Sequence, residues 1–234
     1  MKIVILCGGK GTRLSEETRV IPKPLVKIGN KPILVHIMNY YKKFGIDEFI
    51  LAVGYKGHLI KNYFKNYKEN KKIRVIDTGL NTMTGGRLLR LKKLFKKNEN
   101  FMLTYGDGLS NIDIQKTLKF HIKHKKIVTL SAVRPPVRFG ELKLNKTMVR
   151  EFREKTQTKS GWINGGYFVL NQKIFSFLKN DNEMLEVEPI TKLVKRSQVK
   201  AFKHKGFWQC MDTLRDKEYL NKLYKLKNTP WIKN

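Results

Sequence analysis

The stretch Ile3-Val4-Ile5-Leu6-Cys7-Gly8-Gly9-Lys10-Gly11-Thr12-Arg13-Leu14 passes from an unbroken apolar run into a glycine-rich turn, and Pro22-Lys23-Pro24 lies one short loop further on. A short apolar run closed by glycines reads as a buried strand. The glycines let the chain turn sharply and bring backbone N–H groups against an anion without Cβ interference. Thr12 offers a hydroxyl, Arg13 a fork of donors, and Lys23 a point charge on a backbone restricted by proline on either side. The combination reads as a phosphate-handling loop with a nucleoside triphosphate as guest. It is not a Walker P-loop, and it lacks the third glycine of a dinucleotide fingerprint. Taken alone, the glycines also fit a tight strand-to-helix turn, and Pro-Lys-Pro a rigid surface turn.

Outward from this stretch, apolar runs at Ile3-Leu6, Phe49-Val53, Ile73-Ile76 and Phe101-Thr104 alternate with helix-like segments near Pro32-Phe44, His58-Tyr67 and Gly85-Phe95. That alternation predicts an α/β fold with a mainly parallel sheet and helices on both faces. Ile33, Ile37, Tyr40, Tyr41 and Phe44 share one helical face. A helix at Asp113-His124 and a strand at Ile127-Val133 follow. From Val137 the texture changes to short alternating segments, Gly140-Leu144, Met148-Phe152 and Trp162-Leu170, which predict a small added antiparallel region. Helices near Val187-Lys195 and Thr213-Leu226 close the chain. No repeat, linker or composition break divides the sequence, so residues 1–234 read as one domain, with a core at 1–135 and a second region at 136–234.

The 234 residues are 41% hydrophobic, enough for a full core, and carry a formal net charge of +30. Such charge can hold a protein to nucleic acid or an anionic membrane. Here 11 Arg and 38 Lys are scattered over nearly every segment, with no basic arm and no aromatic-interleaved RNA-binding signature, so no specific nucleic-acid partner is expected. A positive potential also attracts polyphosphates. No apolar run has the length of a bilayer span, and the chain enters a strand at once, so a cytoplasmic protein without a membrane partner is expected. Cys7 and Cys210 lack metal-ligand spacing and are expected as reduced thiols.

Two further constellations carry chemistry. Tyr105-Gly106-Asp107-Gly108 stands at the carboxyl end of an apolar strand, where open parallel sheets bind ligands. Asp107 there suits Mg²⁺, which is held by one or two carboxylates together with substrate phosphates; a plain Asp-Gly turn is the alternative. Asp212, just before a helix, is the candidate partner carboxylate, with an N-cap as its other reading. Glu154-Lys155 and Asn164-Gly165-Gly166 place a carboxylate, an ammonium group and an amide near one another, a set that fits a sugar 1-phosphate. An exposed charged pair and a β-turn are the alternatives there.

The set GGKGTRL, Pro22-Lys23-Pro24, Tyr105-Gly106-Asp107-Gly108, Phe152-Arg153-Glu154-Lys155 and Asn164-Gly165-Gly166 resembles, in the same order and over nearly the whole chain, the sugar-1-phosphate nucleotidylyltransferase family. Asp77-Thr78-Gly79, Met83-Thr84-Gly85-Gly86-Arg87-Leu88 and Gly206-Phe207-Trp208-Gln209 through Lys217 are similar to its cytidylyl branch, which uses CTP and glucose 1-phosphate. The resemblance implies a Rossmann-like nucleotide-diphospho-sugar transferase fold, with nucleotide binding in the first region and sugar-phosphate binding in the second. It implies that Leu6, Cys7, Gly8, Gly9, Gly11, Thr12, Arg13, Lys23, Thr82, Arg87 and Gly106 meet the nucleotide. Arg13, Lys23 and Asp107 would be catalytic, Asp107 and Asp212 would hold Mg²⁺, and Glu154, Lys155, Asn164 and Gly165 would meet the sugar phosphate. A homo-oligomer is compatible with it. Another triphosphate or another sugar 1-phosphate remains the alternative within the family. The chain departs from the family at Cys7, usually alanine, and at Thr156, usually proline. The short link Lys68-Lys72 replaces a longer excursion of the cytidylyl branch, a change that bears on base choice, affinity or assembly.

Overall fold

The computed structural model describes residues 1–67, 72–136, 141–153 and 161–232. In chain order the strands are β1 (Lys2–Cys7), β2 (Lys27–Ile28), β3 (Lys31–Pro32), β4 (Glu48–Val53), β5 (Ile73–Asp77), β6 (Asn100–Tyr105), β7 (Gly108–Ser110), β8 (Val128–Val133), β9 (Glu141–Asn145), β10 (Met148–Arg153), β11 (Ile163–Asn171), β12 (Val199–His204) and β13 (Trp208–Cys210). The helices are α1 (Ser15–Thr18), α2 (Ile33–Lys42), α3 (Gly57–Lys65), α4 (Thr84–Arg90), α5 (Ile114–His124), α6 (Glu188–Lys195) and α7 (Leu214–Lys225).

Seven strands form the central sheet in the order β12-β8-β11-β6-β1-β4-β5. β1 is parallel to β4 and to β6, β4 to β5 and β12 to β8, while β11 runs antiparallel to both its neighbours. The apolar run at 3–7 lacks polar alternation because both faces of β1 are covered. Ile3, Ile5 and Cys7 pack into a cluster with α2, with Ile60 of α3 and with Leu220 of α7. Val4 and Leu6 face the other way, onto Leu88 of α4, Leu193 of α6 and Phe175. The chain runs outward from β1 through β4 to β5, then returns to pair β6 on the opposite side of β1. That reversal opens a crevice beyond the carboxyl ends of β1 and β6, the usual ligand position in such sheets. Gly8 follows one of those ends and Gly106-Asp107 the other.

The structure revises several sequence expectations. Tyr167-Phe168-Val169-Leu170 does run antiparallel, but inside the central sheet, where all four residues are buried. The small separate antiparallel sheet is β9 with β10. The helix expected to reach Phe95 ends at Arg90, and a 3-10 turn at Lys92–Leu94 follows. Five strands carried no expectation: the edge strand β12, the pair β7 and β13, and the two-residue pair β2 and β3. No helix among the described residues is long and apolar enough to cross a membrane.

Candidate active site

The β7–β13 pair does the most to build the site. It is antiparallel and aligns Gly108 with Cys210, so the residue before β7 and the residue after β13 emerge at the same end. Those residues are Asp107 and, beyond Met211, Asp212; the Met211 amide donates to the Asp107 carbonyl at 2.9 Å. Lys23 reaches both carboxylates from the 3-10 turn Lys23–Leu25, its Nζ lying 2.6 Å from Asp107 Oδ2 and 2.6 Å from Asp212 Oδ1. Arg13 Nη1 lies 2.7 Å from Asp212 Oδ2. The Lys23 ammonium is thus met by carboxylates 84 and 189 positions further along the chain. Lys23 is 8% exposed, which removes the surface-turn reading of Pro-Lys-Pro. Nor is Asp212 an N-cap: the cap of α7 is Thr213, in a capping box with Asp216, and Asp216 also accepts from the Asp212 amide at 3.1 Å.

Electrostatics in this cluster follow from burial and pairing. Burial alone would push the Lys23 ammonium down, but contact with Asp107 and Asp212 outweighs it and raises its pKa above the ordinary value. Burial would raise the Asp212 carboxyl, yet Lys23 and Arg13 hold it below the usual range. The thiols move the other way. Burial pushes Cys7 up, and Cys210 is pushed up to about 12 by burial and by Asp212, so neither is a thiolate at neutral pH.

The glycine loop lies beside this cluster. Gly11 sits at φ 66°, where an L side chain is strained, and its carbonyl accepts from the Leu14 amide at 2.9 Å and from Thr18 Oγ1 at 3.0 Å. Gly8 is required by a neighbour: a Cβ there would lie 2.2 Å from Arg87 Cζ. Arg87 is 4% exposed, and its guanidinium donates to the carbonyls of Val53 (3.1 Å), Gly79 (2.7 Å) and Gly8 (2.9 Å) and to Thr78 Oγ1 (2.8 Å). It ties the glycine loop to the end of β4 and to the turn after β5, and burial lowers its pKa.

A cavity of about 580 Å³ joins these parts. Leu6, Cys7, Gly8, Gly9, Gly11, Thr12, Arg13, Lys23, Thr82, Arg87, Gly106, Asp107, Asn164, Gly165 and Asp212 all line it. Glu154, Lys155 and Thr156 lie outside the described residues, as does the link at 68–71. Asn164-Gly165-Gly166 forms no isolated turn; it belongs to β11, where the pairing with β8 shifts register between Asn164 and Phe168. Trp208 Nε1 donates to the Gly165 carbonyl at 2.7 Å and holds that segment against β13. Met83, Thr84, Tyr105 and Trp208, quoted above within motifs but given no role of their own, also line the cavity, as do Met184 and Glu186, which sequence reasoning did not single out.

Whether these residues suit a hard divalent cation is testable on the donor set. Two carboxylates already converge on a single cationic atom, and no described residue donates to Asp107 Oδ1. Among the described residues no group of three His, Cys, Asp or Glu gathers, so a cation here would complete its shell with water and substrate oxygens. The set fits an ion held partly by a bound phosphate.

Residues 2–221 match the nucleotidyl transferase family. The chain is 47% identical to the glucose-1-phosphate cytidylyltransferase of Salmonella typhimurium, over 99% of this chain and 98% of that one. It is 41% identical to the probable glucose-1-phosphate cytidylyltransferase of Bacillus subtilis, over 99% of each. Among solved structures it resembles HddC from Yersinia pseudotuberculosis, with a TM-score of 0.75, 27% identity and coverage of 95% of this chain and 99% of that one. A putative glucose-1-phosphate thymidylyltransferase from Bacillus anthracis, with a TM-score of 0.77, 21% identity and coverage of 95% and 94%, shares the fold. A glycine loop and two converging aspartates at the switch point of a mainly parallel sheet, in a chain this similar over its full length, place the protein in the nucleotidyl transferase family.

Proposed function

We propose that this chain joins CTP and α-D-glucose 1-phosphate to give CDP-glucose and pyrophosphate, with Mg²⁺ as cofactor. A phosphate oxygen of the sugar 1-phosphate attacks the α-phosphorus of CTP in line, and pyrophosphate departs. The observation that carries the reading is the convergence of Asp107, Asp212, Lys23 and Arg13 beside the glycine loop. Full-length similarity to two cytidylyltransferases supports the choice of nucleotide and sugar.

The chain's own groups do most of the work by alignment and charge. Backbone N–H groups of the glycine loop face the phosphates. Arg13, whose side chain is 71% exposed, can leave Asp212 and follow the departing pyrophosphate. Lys23 has a short reach from a rigid turn and stays near the α-phosphate. Asp107 and Asp212 would hold Mg²⁺, which supplies charge neutralisation on the phosphate oxygens when bound. Asn164 and Gly165 meet the sugar phosphate, together with Glu154 and Lys155 as the resemblance implies. No protein nucleophile is required, in keeping with two protonated thiols.

The test is a panel: protein, Mg²⁺ and glucose 1-phosphate with CTP, UTP, dTTP, ATP or GTP offered separately, and pyrophosphate measured. Turnover with CTP alone is expected. Turnover with a different nucleotide leaves the family in place and overturns the cytidylyl assignment.

A further inference from the structure

Glu186 lines the cavity from the loop before α6 and touches two elements that build other parts of the site. Its Oε2 accepts from Thr84 Oγ1 at 2.6 Å, at the start of α4, and its Oε1 accepts from the Tyr105 hydroxyl at 2.5 Å, at the end of β6. Tyr105 in turn accepts from Asn164 Nδ2 at 3.3 Å, and Asn164 Oδ1 accepts from the Gly166 amide at 2.9 Å. The loop carrying Glu186 is itself fixed on α4: the Gly85 amide donates to the Glu183 carbonyl at 2.9 Å and the Leu185 amide to Thr84 Oγ1 at 2.9 Å. The Tyr105 ring is confined as well, since a Cβ on Gly166 would lie 2.4 Å from its Cδ2.

The direction of each bond follows from the groups themselves. An ionised carboxylate only accepts, so the Tyr105 O–H must point at Glu186 and its oxygen is left as an acceptor. An acceptor at that point attracts the NH₂ end of Asn164, and the Gly166 N–H, which only donates, fixes the carbonyl end. Asn164 is exposed to the cavity, and its second amide hydrogen remains to face substrate. We propose that Glu186 is a positioning residue which, through Tyr105, makes Asn164 present an N–H donor to an acceptor oxygen of the sugar 1-phosphate. This rests on the proposed placement of the sugar phosphate at Asn164 and adds the residue that sets that amide's polarity.

The experiment is steady-state kinetics, varying each substrate in turn, for wild type, Glu186→Met, Tyr105→Phe, the double variant and Glu186→Gln. Loss of one oriented hydrogen bond predicts about a tenfold rise in the KM of the sugar phosphate for each of the first two variants, with the KM of CTP within about twofold. The double variant should be no worse than Tyr105→Phe alone. Glu186→Gln should recover most of the affinity, because its amide oxygen can accept from Tyr105 while its NH₂ donates to Thr84 Oγ1. Rises that multiply in the double variant, equal rises for both substrates, or failure of the Gln variant to recover would each overturn the proposal in favour of a direct charge contact or a general structural role. Should Glu186→Met not fold, Tyr105→Phe decides, because it removes a single oxygen: an unchanged KM overturns the relay. Absence of wild-type turnover with CTP would sink the functional reading instead, and calorimetric binding of glucose 1-phosphate to the same variants would then test the relay.

Discussion

Replacing Lys23 with Met removes the ammonium that lies 2.6 Å from each of two carboxylates. The Lys23 and Asp212 side chains are each 10% exposed and Asp107 is 25% exposed, so the first pair is the less screened. Breaking a buried pair costs about 3–5 kcal/mol. Arg13 still neutralises Asp212 and water reaches Asp107, which puts the loss at the low end, about 3 kcal/mol. For a chain of this size that lowers Tm by roughly 6–12 °C. Any structural ion pair would give a loss of this kind, so magnesium is the discriminating variable. In the wild type the two carboxylates are already shared with Lys23; in Lys23→Met Asp212 keeps only Arg13 and Asp107 loses its cationic partner, so together they attract a divalent cation more strongly. Binding to the native state alone stabilises by about 2.7 kcal/mol at a hundredfold excess over Kd. Millimolar Mg²⁺ should therefore restore most of the lost Tm in Lys23→Met and move the wild type far less, while pyrophosphate release stays down by about 100-fold or more. Scanning fluorimetry with and without Mg²⁺, beside a coupled pyrophosphate assay, reads both quantities. Equal magnesium shifts in the two proteins would refute the reasoning.

Two further outcomes are expected. Arg87→Lys keeps the charge but loses the fork that joins Gly8, Val53, Thr78 and Gly79; it should cost about 2–3 kcal/mol in urea unfolding and raise the KM of CTP about tenfold. His121 is 2% exposed, and burial followed by the neighbouring His124 pushes its imidazole from 6.5 down to about 4. It is neutral in the native state and protonated in the unfolded chain between those values, so its contribution is present above pH 6.5 and is lost as pH falls toward 4, on the order of 3 kcal/mol in all. The fall in unfolding free energy from neutral pH to about pH 5 should be shallower in His121→Gln than in the wild type.

The parallel core was legible because its chemistry is local. Strands β1, β4 and β6 are unbroken apolar runs, and α2 carries Ile33, Ile37, Tyr40 and Tyr41 on a face that is buried throughout. β12 was not legible: Lys200, Lys203 and His204 interrupt its pattern, as suits an edge strand whose outer side has no partner in the sheet. β7 and β13 are each three residues long, too short for any period, yet their pairing brings Asp107 to Asp212. Tyr167–Leu170 was expected in the added antiparallel region and instead runs antiparallel within the central sheet, because an apolar run shows that a strand is buried without showing between which neighbours. Glu186 left no trace in the sequence. It is a single carboxylate in a loop, and its meaning comes only from Thr84 and Tyr105 lying across the cavity. The resemblance set Arg87 in the nucleotide pocket; it does line the cavity, but its bonds run to the backbone carbonyls and the Thr78 hydroxyl that shape that pocket.

The most direct measurement is pyrophosphate release by Asp107→Asn and Asp212→Asn proteins at saturating CTP and glucose 1-phosphate, titrated with Mg²⁺. If the two carboxylates share one cation with the substrate phosphates, each variant retains its melting transition, loses turnover by about 100-fold or more, and is not restored by added Mg²⁺. Near-normal release by either variant would contradict the account.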